Sequence, residues 1–339
     1  MTPDSAQQLR AQLRALGLTN AAIEAAWPRW WSGQAESSAS ARAELAFGVA
    51  RRLGLEPESL IDGGDGPRFS FRAEARFKHG SAETEEEQAG IASFGQAIAT
   101  LLLAATPPVE FDLTRWSARD LRTRLLVRGR PFVALGDLLT IAWVAGVPAV
   151  HLRVFPWEQK RMAAMSVGID GRAAILLGKD SRYPAPIAFY LAHELGHVAL
   201  GHTAGGTSVV DMGPELVPSE DEEELAADRY ALELLTGRPE PQVLADRQEH
   251  VSGRAVAKAA LEQGPPIGIE PGMLAQCFGY STGDWPSANA ALRYIYPEST
   301  PMWAAVNGAA WAQLDETAIS GDADDFLRTV LGTNPAQRA

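Results

Sequence analysis

The sequence predicts an α+β protein that is mostly helical and has a short antiparallel sheet near its middle. Apolar residues recur at helical spacing through most of the 339 residues, which indicates amphipathic helices. Residues 162–178 instead contain two apolar runs separated by Asp170-Gly171, a dipeptide that favours the turn of a β-hairpin. The chain is 46% hydrophobic and 21% charged, which is typical of a globular protein rather than a disordered one.

Clusters of glycine, proline and polar residues divide the chain into four predicted regions. The first has the run AELAFGVARRLGLEPESLID at 43–62, in which short helices end at glycine. Because residues 1–60 carry six basic and six acidic side chains, direct DNA binding is only weakly supported. We expect a helical, helix-turn-helix-like domain over 1–65, a helical linker over 66–115, a core of helices and strands over 116–238, and a helical C-terminal domain over 239–339.

The net charge of −12 (30 basic minus 42 acidic residues) is concentrated in one window. Residues 201–250 hold 12 acidic and 3 basic side chains, a balance of −9. A solvated acidic loop would explain this excess as well as a functional cluster of carboxylates would. The excess of acid weighs against nonspecific binding to nucleic acid.

Cysteine content and hydropathy predict a cytoplasmic protein without a membrane segment. Cys277 is the only cysteine, so an internal disulfide is excluded and a reducing compartment is the natural environment. The first residues, MTPDSAQQLRAQLRALG, lack the apolar core of a signal peptide. The longest uncharged apolar stretch, residues 138–150, is too short to span a bilayer.

Within residues 116–238 the predicted order is helix, helix, strand, hairpin, helix, helix. Pro184 and Pro186 suit the first turn of the penultimate helix, and Gly201 suits its end. Gly237 and Pro239 end the last helix in the same way. We expect helices at about 117–128 and 133–145, a strand at 149–155, the hairpin at 162–178, and helices at 184–201 and 220–236.

The motif with the clearest chemistry is His193-Glu194-Leu195-Gly196-His197, an H-E-x-x-H sequence inside a predicted helix. Residues four apart lie on one helix face, so both imidazoles can share one Zn²⁺. Glu194 is adjacent and can deprotonate a water whose pKa zinc lowers towards about 7. Two buried histidines that are hydrogen-bonded to backbone carbonyls would be the purely structural alternative.

A catalytic zinc site needs a third protein ligand, and His202 is one candidate. The metzincin pattern H-E-x-x-H-x-x-G-x-x-H would require glycine at 200 and histidine at 203. The chain has Leu200 and Thr203 at these positions, so His202 does not fit that pattern.

The acidic window supplies the other candidates. In EDEEELAADRYALELL, at 220–235, Glu224 and Asp228 are spaced E-x-x-x-D on a helix face that is otherwise small or apolar. We therefore predict Glu224 as the third metal ligand, with Glu223 as the alternative. Asp228 is expected to accept the remaining N–H of His193 or His197, unless it is a surface partner on its own helix.

HELGHVALGH followed by EELAADRYALELL resembles the ImmA/IrrE family of metallopeptidases. The resemblance covers about residues 116–237. The family usually ends this helix near an apolar residue followed by proline, as in L-L-M-P, and the chain departs from this with Leu234-Leu235-Thr236-Gly237-Arg238-Pro239. The resemblance implies a minimal, gluzincin-like core of the zincin type. It also implies that the protein is a soluble zinc endopeptidase encoded by a bacterium or a phage. Such an enzyme cuts a cognate, repressor-like DNA-binding protein and relieves repression under stress.

The expected mechanism is peptide hydrolysis with one Zn²⁺ per chain, held by His193, His197 and Glu224, and with Glu194 as general base. An extended substrate is expected beside an edge strand at residues 173–177. Two alternatives stay open: a DNA-binding regulator or toxin–antitoxin component that uses the zinc domain for sensing, and another zinc hydrolase such as an amidase. The residue assisting the oxyanion stays undecided among Tyr183, Tyr190, His202 and Tyr230.

Overall fold

The structure is a computed structural model that describes most of the chain. The described residues are 6–61, 66–71, 75–77 (backbone alone), 84–127, 129–157, 162–211, 221–240 and 251–332. The fold is α+β and mostly helical, as the sequence predicts. None of the helices in these ranges is long and apolar enough to cross a membrane.

The N-terminal part consists of short capped helices. Thr19 accepts from the backbone N–H of Ala22 and begins α2, and Gly54 ends α3 in a left-handed conformation (φ 71°). Thr84 and Glu87 form a reciprocal capping box that begins α5. The elements are α1 (Ala6–Ala15), α2 (Asn20–Ala26), α3 (Ala39–Leu53), α4 (Pro57–Ile61), β1 (Ala75–Phe77) and α5 (Glu85–Ala104).

Helices also dominate the described residues from 113 to 332, where four strands are inserted among them. Strand β2 follows α7, the hairpin β3–β4 precedes α8, and β5 lies between α8 and α9. The bounds are α6 (Ala118–Leu126), α7 (Leu135–Val144), β2 (Ala149–His151), β3 (Ala164–Ile169), β4 (Arg172–Leu177), α8 (Pro184–Ala199), β5 (Ser208–Asp211), α9 (Glu222–Thr236), α10 (Gly253–Gln263), α11 (Pro271–Thr282), α12 (Trp285–Ile295), α13 (Met302–Trp311) and α14 (Gly321–Val330).

The five strands form one mixed sheet in the order β1-β5-β3-β4-β2. The predicted hairpin is confirmed: β3 and β4 pair antiparallel, and Asp170 (φ 49°) and Gly171 (φ 76°) make the turn. Strand β5 also pairs antiparallel with β3, but β1 and β2 run parallel to β5 and β4. Both of these strands reach their partners through long connections, which is what parallel pairing requires.

Two expectations about the sheet were therefore wrong. The sheet is mixed rather than antiparallel, because its two outer strands, β1 and β2, run parallel to β5 and β4. Residues 173–177 are not at an edge, since β4 lies between β3 and β2 and is hydrogen-bonded on both sides. The predicted strand at 149–155 is also shorter than expected and covers Ala149–His151.

Each face of the sheet contributes to its own hydrophobic cluster. Ile175 and Leu177 of β4 pack in the cluster that contains α7, α8 and α9. Leu176 points to the opposite face and packs with α3, α5 and α14. This alternation follows from the two-residue period of a strand, and it places α8 directly against one face of the sheet.

Candidate metal centre

Helix α8 positions the H-E-x-x-H motif in the interior of the protein. Pro184 lies in its first turn, and every residue from Ile187 to Ala199 is buried. His193 is 2% exposed and His197 is 1% exposed. Because they are four residues apart on one helix, their Nε2 atoms face each other at 3.0 Å.

Helix α9 brings a carboxylate to the same point. Asp221 caps its start by accepting from the backbone N–H groups of Glu223 and Glu224. Glu224 and Asp228 are each 4% exposed, and the face between them and α8 consists of small residues. A Cβ built on Gly196 of α8 would lie 3.1 Å from the carbonyl oxygen of Ala227, so the two helices are close together.

The structure brings His193, His197 and Glu224 together as the sequence predicts, in a group that could hold a metal ion. We call this group the three-ligand cluster. One carboxylate oxygen of Glu224 lies 3.3 Å from His193 Nε2, and the other lies 3.4 Å from His197 Nε2. Ligand atoms from all three buried residues lie within 4.8 Å of one another. Among the described residues this group contains Glu224 and not Glu223, which was the alternative ligand.

The contact with Asp228 indicates which ring nitrogen of His193 carries the proton. Asp228 Oδ1 lies 2.8 Å from His193 Nδ1, and an ionised carboxylate can only accept, so Nδ1 carries the proton. A neutral His193 therefore presents the Nε2 lone pair to His197 and to the carboxylate of Glu224. When His197 likewise carries its proton on Nδ1, facing His202, two imidazole lone pairs and a carboxylate converge in a buried space, and this donor set fits a divalent metal ion.

His202 occupies the position that Asp228 occupies for the other histidine. Its Nδ1 lies 2.9 Å from His197 Nδ1, which is the ring nitrogen facing away from the three-ligand cluster. His202 was considered as a third ligand, and it contacts a ligand instead. One of the two Nδ1 atoms must donate to the other, so this contact orients the His197 ring.

Glu194 is buried beside the three-ligand cluster, with 1% of its surface exposed. Burial raises its pKa to about 8, helped by the nearby charges of Asp211 and Glu224, while His193 and the Ser166 hydroxyl act in the opposite direction. Ser166 Oγ, in β3, donates a short hydrogen bond to Glu194 Oε2. A carboxyl group with a pKa near neutrality can both accept and release a proton.

Sequence reasoning missed Ser166. Its signal was present, because a serine inside the apolar strand AMSVGI must find a buried hydrogen-bond partner. That partner, the side chain of Glu194, is 28 residues away and depends on how β3 packs against α8.

The three tyrosines considered as oxyanion donors have other contacts. The Tyr230 hydroxyl donates to the backbone carbonyl of Trp116 at 3.2 Å. The Tyr183 ring stacks on Tyr296, with the ring centroids 5.6 Å apart. Lys179 Nζ lies 5.6 Å from the centroid of the Tyr190 ring. These contacts are those of packing residues.

Comparison with protein-family models, with curated proteins and with solved structures finds no match. The functional assignment therefore depends on the chemistry of the residues themselves.

Proposed function

We propose that this protein is a zinc-dependent endopeptidase that hydrolyses a peptide bond in a protein substrate. The observation that carries the proposal is the three-ligand cluster on a buried H-E-x-x-H helix, with Glu194 beside it. A structural histidine pair would need neither the converging Glu224 carboxylate nor a buried carboxyl group next to it.

Zinc is the metal that suits this donor set best. Two imidazole nitrogens and one carboxylate, which leave a fourth position for water or substrate, are typical ligands of catalytic zinc. When bound, zinc would supply a Lewis acid that polarises a peptide carbonyl and activates water for attack. Asp228 and His202 hold the two imidazoles in the orientation that ligation needs.

Glu194 is the proposed general base. Its carboxylate takes a proton from the attacking water and then delivers it to the amine that leaves as the C–N bond breaks. The Ser166 hydroxyl donates to Glu194 Oε2 and so limits the orientations of the carboxyl group.

Membership of the ImmA/IrrE family and its minimal zincin-type core remain part of this proposal. Support comes from α8 packed on the sheet, with α9 supplying Glu224 and Asp228. We propose a repressor-like DNA-binding protein as the substrate, because the resemblance implies one.

The proposal is tested by incubating the purified, zinc-loaded chain with a proteome-derived peptide mixture and with a repressor-like protein encoded by a neighbouring gene. Mass spectrometry should show cleavage that stops with a chelator and returns when zinc is added. Binding of the repressor-like protein or of DNA without any cleavage would instead favour the regulator or toxin–antitoxin alternative.

A further inference from the structure

A cavity of about 270 Å³ lies beside the N-terminal half of α8. We call it the aromatic cavity, because four aromatic side chains line it: Tyr183, Phe189, Tyr190 and Trp285. The cavity lies where the loop between β4 and α8 meets α11 and α12. It has no role in the mechanism proposed above.

Phe189 connects the aromatic cavity with the metal centre. It lines the cavity, and its ring centroid lies 6.3 Å from that of His193. The two residues are four apart on α8, which corresponds to about 6 Å along the helix axis. Side chains on one face of an extended peptide are about 7 Å apart. A peptide whose scissile bond lies at the metal can therefore place a nearby side chain in this cavity.

The size of the aromatic cavity suits one large side chain. An apolar cavity of roughly 150 Å³ accommodates a benzene ring. The aromatic cavity exceeds this size and is smaller than most cofactor sites, which begin at about 300 Å³. Its aromatic walls allow offset or edge-to-face contacts with an aromatic guest, which add stabilisation beyond the burial of apolar area.

Polar groups complete the lining. Gln276, which is 5% exposed, donates from Nε2 to Asn289 Oδ1 at 3.3 Å. This bond uses one N–H of Gln276 and one lone pair of Asn289. The remaining N–H groups and oxygen lone pairs of the two side-chain amides can form hydrogen bonds with a phenolic hydroxyl. Lys179, Arg182 and Asp180 also line the cavity, so its charged lining residues carry a net charge of +1 and do not favour a basic guest.

We propose that the aromatic cavity binds a phenylalanine or tyrosine side chain of the peptide substrate, one or two residues from the cleaved bond. This inference rests on the proposed endopeptidase function. Basic side chains are disfavoured because Lys179 and Arg182 already place two positive charges at the cavity against the one negative charge of Asp180. Alanine leaves most of the cavity unfilled.

The first test measures binding without cleavage. N-acetyl-phenylalanine amide, N-acetyl-alanine amide and N-acetyl-lysine amide are titrated into the zinc-loaded chain and followed by ligand-observed NMR. Asn289→Trp fills the aromatic cavity from an exposed position on α12, and Lys258→Trp adds the same exposed ring on α10 as a control. Both variants should retain the zinc content of the parent chain. Asn289→Trp also removes the acceptor of the Gln276 amide, so a folded state is confirmed for each variant by circular dichroism.

We expect the phenylalanine probe to bind at least tenfold more tightly than the other two, and Asn289→Trp alone to remove this preference. Equal binding of the three probes, or a preference that survives Asn289→Trp, would overturn the proposal.

The second test measures cleavage preference and separates the two proposals. In peptide mixtures the parent chain and Lys258→Trp should favour an aromatic residue at one fixed position within two residues of the cut, and Asn289→Trp should not. Cleavage without that preference would overturn the cavity proposal and leave the endopeptidase proposal intact. If no peptide is cleaved, the endopeptidase proposal fails, and the probe titration alone then decides whether the cavity takes an aromatic side chain.

Discussion

His193 Nδ1 donates to Asp228 Oδ1 at 2.8 Å, and this bond joins the H-E-x-x-H helix to α9, the helix that carries Glu224. Asp228 lies four residues after Glu224 on the same face of α9, so one helix turn carries a ligand and the group that orients another ligand. The metal centre is therefore built from two helices whose relative position fixes both contacts.

Replacing Asp228 by asparagine should weaken zinc binding by about 10–100-fold, the usual effect of losing a partner of a metal-ligating histidine. The asparagine side chain has no charge to support Nδ1–H of His193. Competition with a chromophoric chelator measures the affinity. The control is Glu233→Gln, which removes a charge from α9 that pairs with Arg119. Equal affinities for the parent chain and Asp228→Asn would contradict the assigned role.

Replacing Glu224 by alanine should reduce zinc affinity by roughly a hundredfold or more, because the loss of a ligand costs more than the loss of a supporting group. Glu223→Ala is the matched control, since Glu223 is one residue away and less buried. The metal content of both variants after dialysis checks the prediction. If Glu223→Ala loses zinc and Glu224→Ala keeps it, the ligand assignment is wrong.

Replacing Glu194 by glutamine should lower the rate of peptide cleavage by about 10²–10⁴-fold, because glutamine cannot accept the proton of water. Zinc should stay near one equivalent, since Glu194 is not a ligand. The rate of cleavage and the metal content are measured on the same preparation. Normal cleavage by Glu194→Gln would exclude this residue as the general base.

Replacing His202 by alanine should weaken zinc binding by about tenfold, because the ring of His197 loses the contact that orients it. His202→Asn keeps a hydrogen-bonding side chain and should recover part of the affinity. Titration with zinc under a competing chelator compares the three proteins. Affinity that is identical in all three would show that His202 does not support His197.

Replacing Gly196 by alanine should destabilise the fold and weaken zinc binding. The new Cβ would lie 3.1 Å from the Ala227 carbonyl oxygen and 3.2 Å from Tyr230 Cβ, and the backbone of α9 cannot move away without shifting Glu224. Such overpacking costs about 1–3 kcal/mol, against a gain of about 1 kcal/mol from the helix preference of alanine over glycine. Thermal melts with and without zinc measure both effects. A rise in melting temperature with unchanged zinc affinity would refute the close packing of α8 and α9.

Sequence patterns predicted what depends on local spacing. The two histidines are four residues apart on a helix with clear end signals, and the hairpin turn at Asp170 and Gly171 requires positive φ angles. Glu224 was chosen because small residues share its face of α9, and the structure places it in the three-ligand cluster. The domain boundaries at residues 65, 115 and 238 stay predictions.

Features that depend on contacts between separate elements were not predicted. The parallel pairing of β2 with β4 covers the strand that we expected to be free for a substrate. Similarly, the hydrogen bond from Ser166 to Glu194 exists only because β3 packs on α8. Local periodicity contains no information about which strand lies at an edge, since register and order are set by long-range packing.

The central claim, that His193, His197 and Glu224 form a zinc site, is tested most directly by the zinc content of the purified chain. Elemental analysis after zinc loading and dialysis should give one equivalent for the parent chain and almost none for the double variant His193→Ala/His197→Ala, with the helical content of the two confirmed by circular dichroism. A folded parent chain that retains no zinc, or a double variant that retains as much as the parent, would contradict the claim.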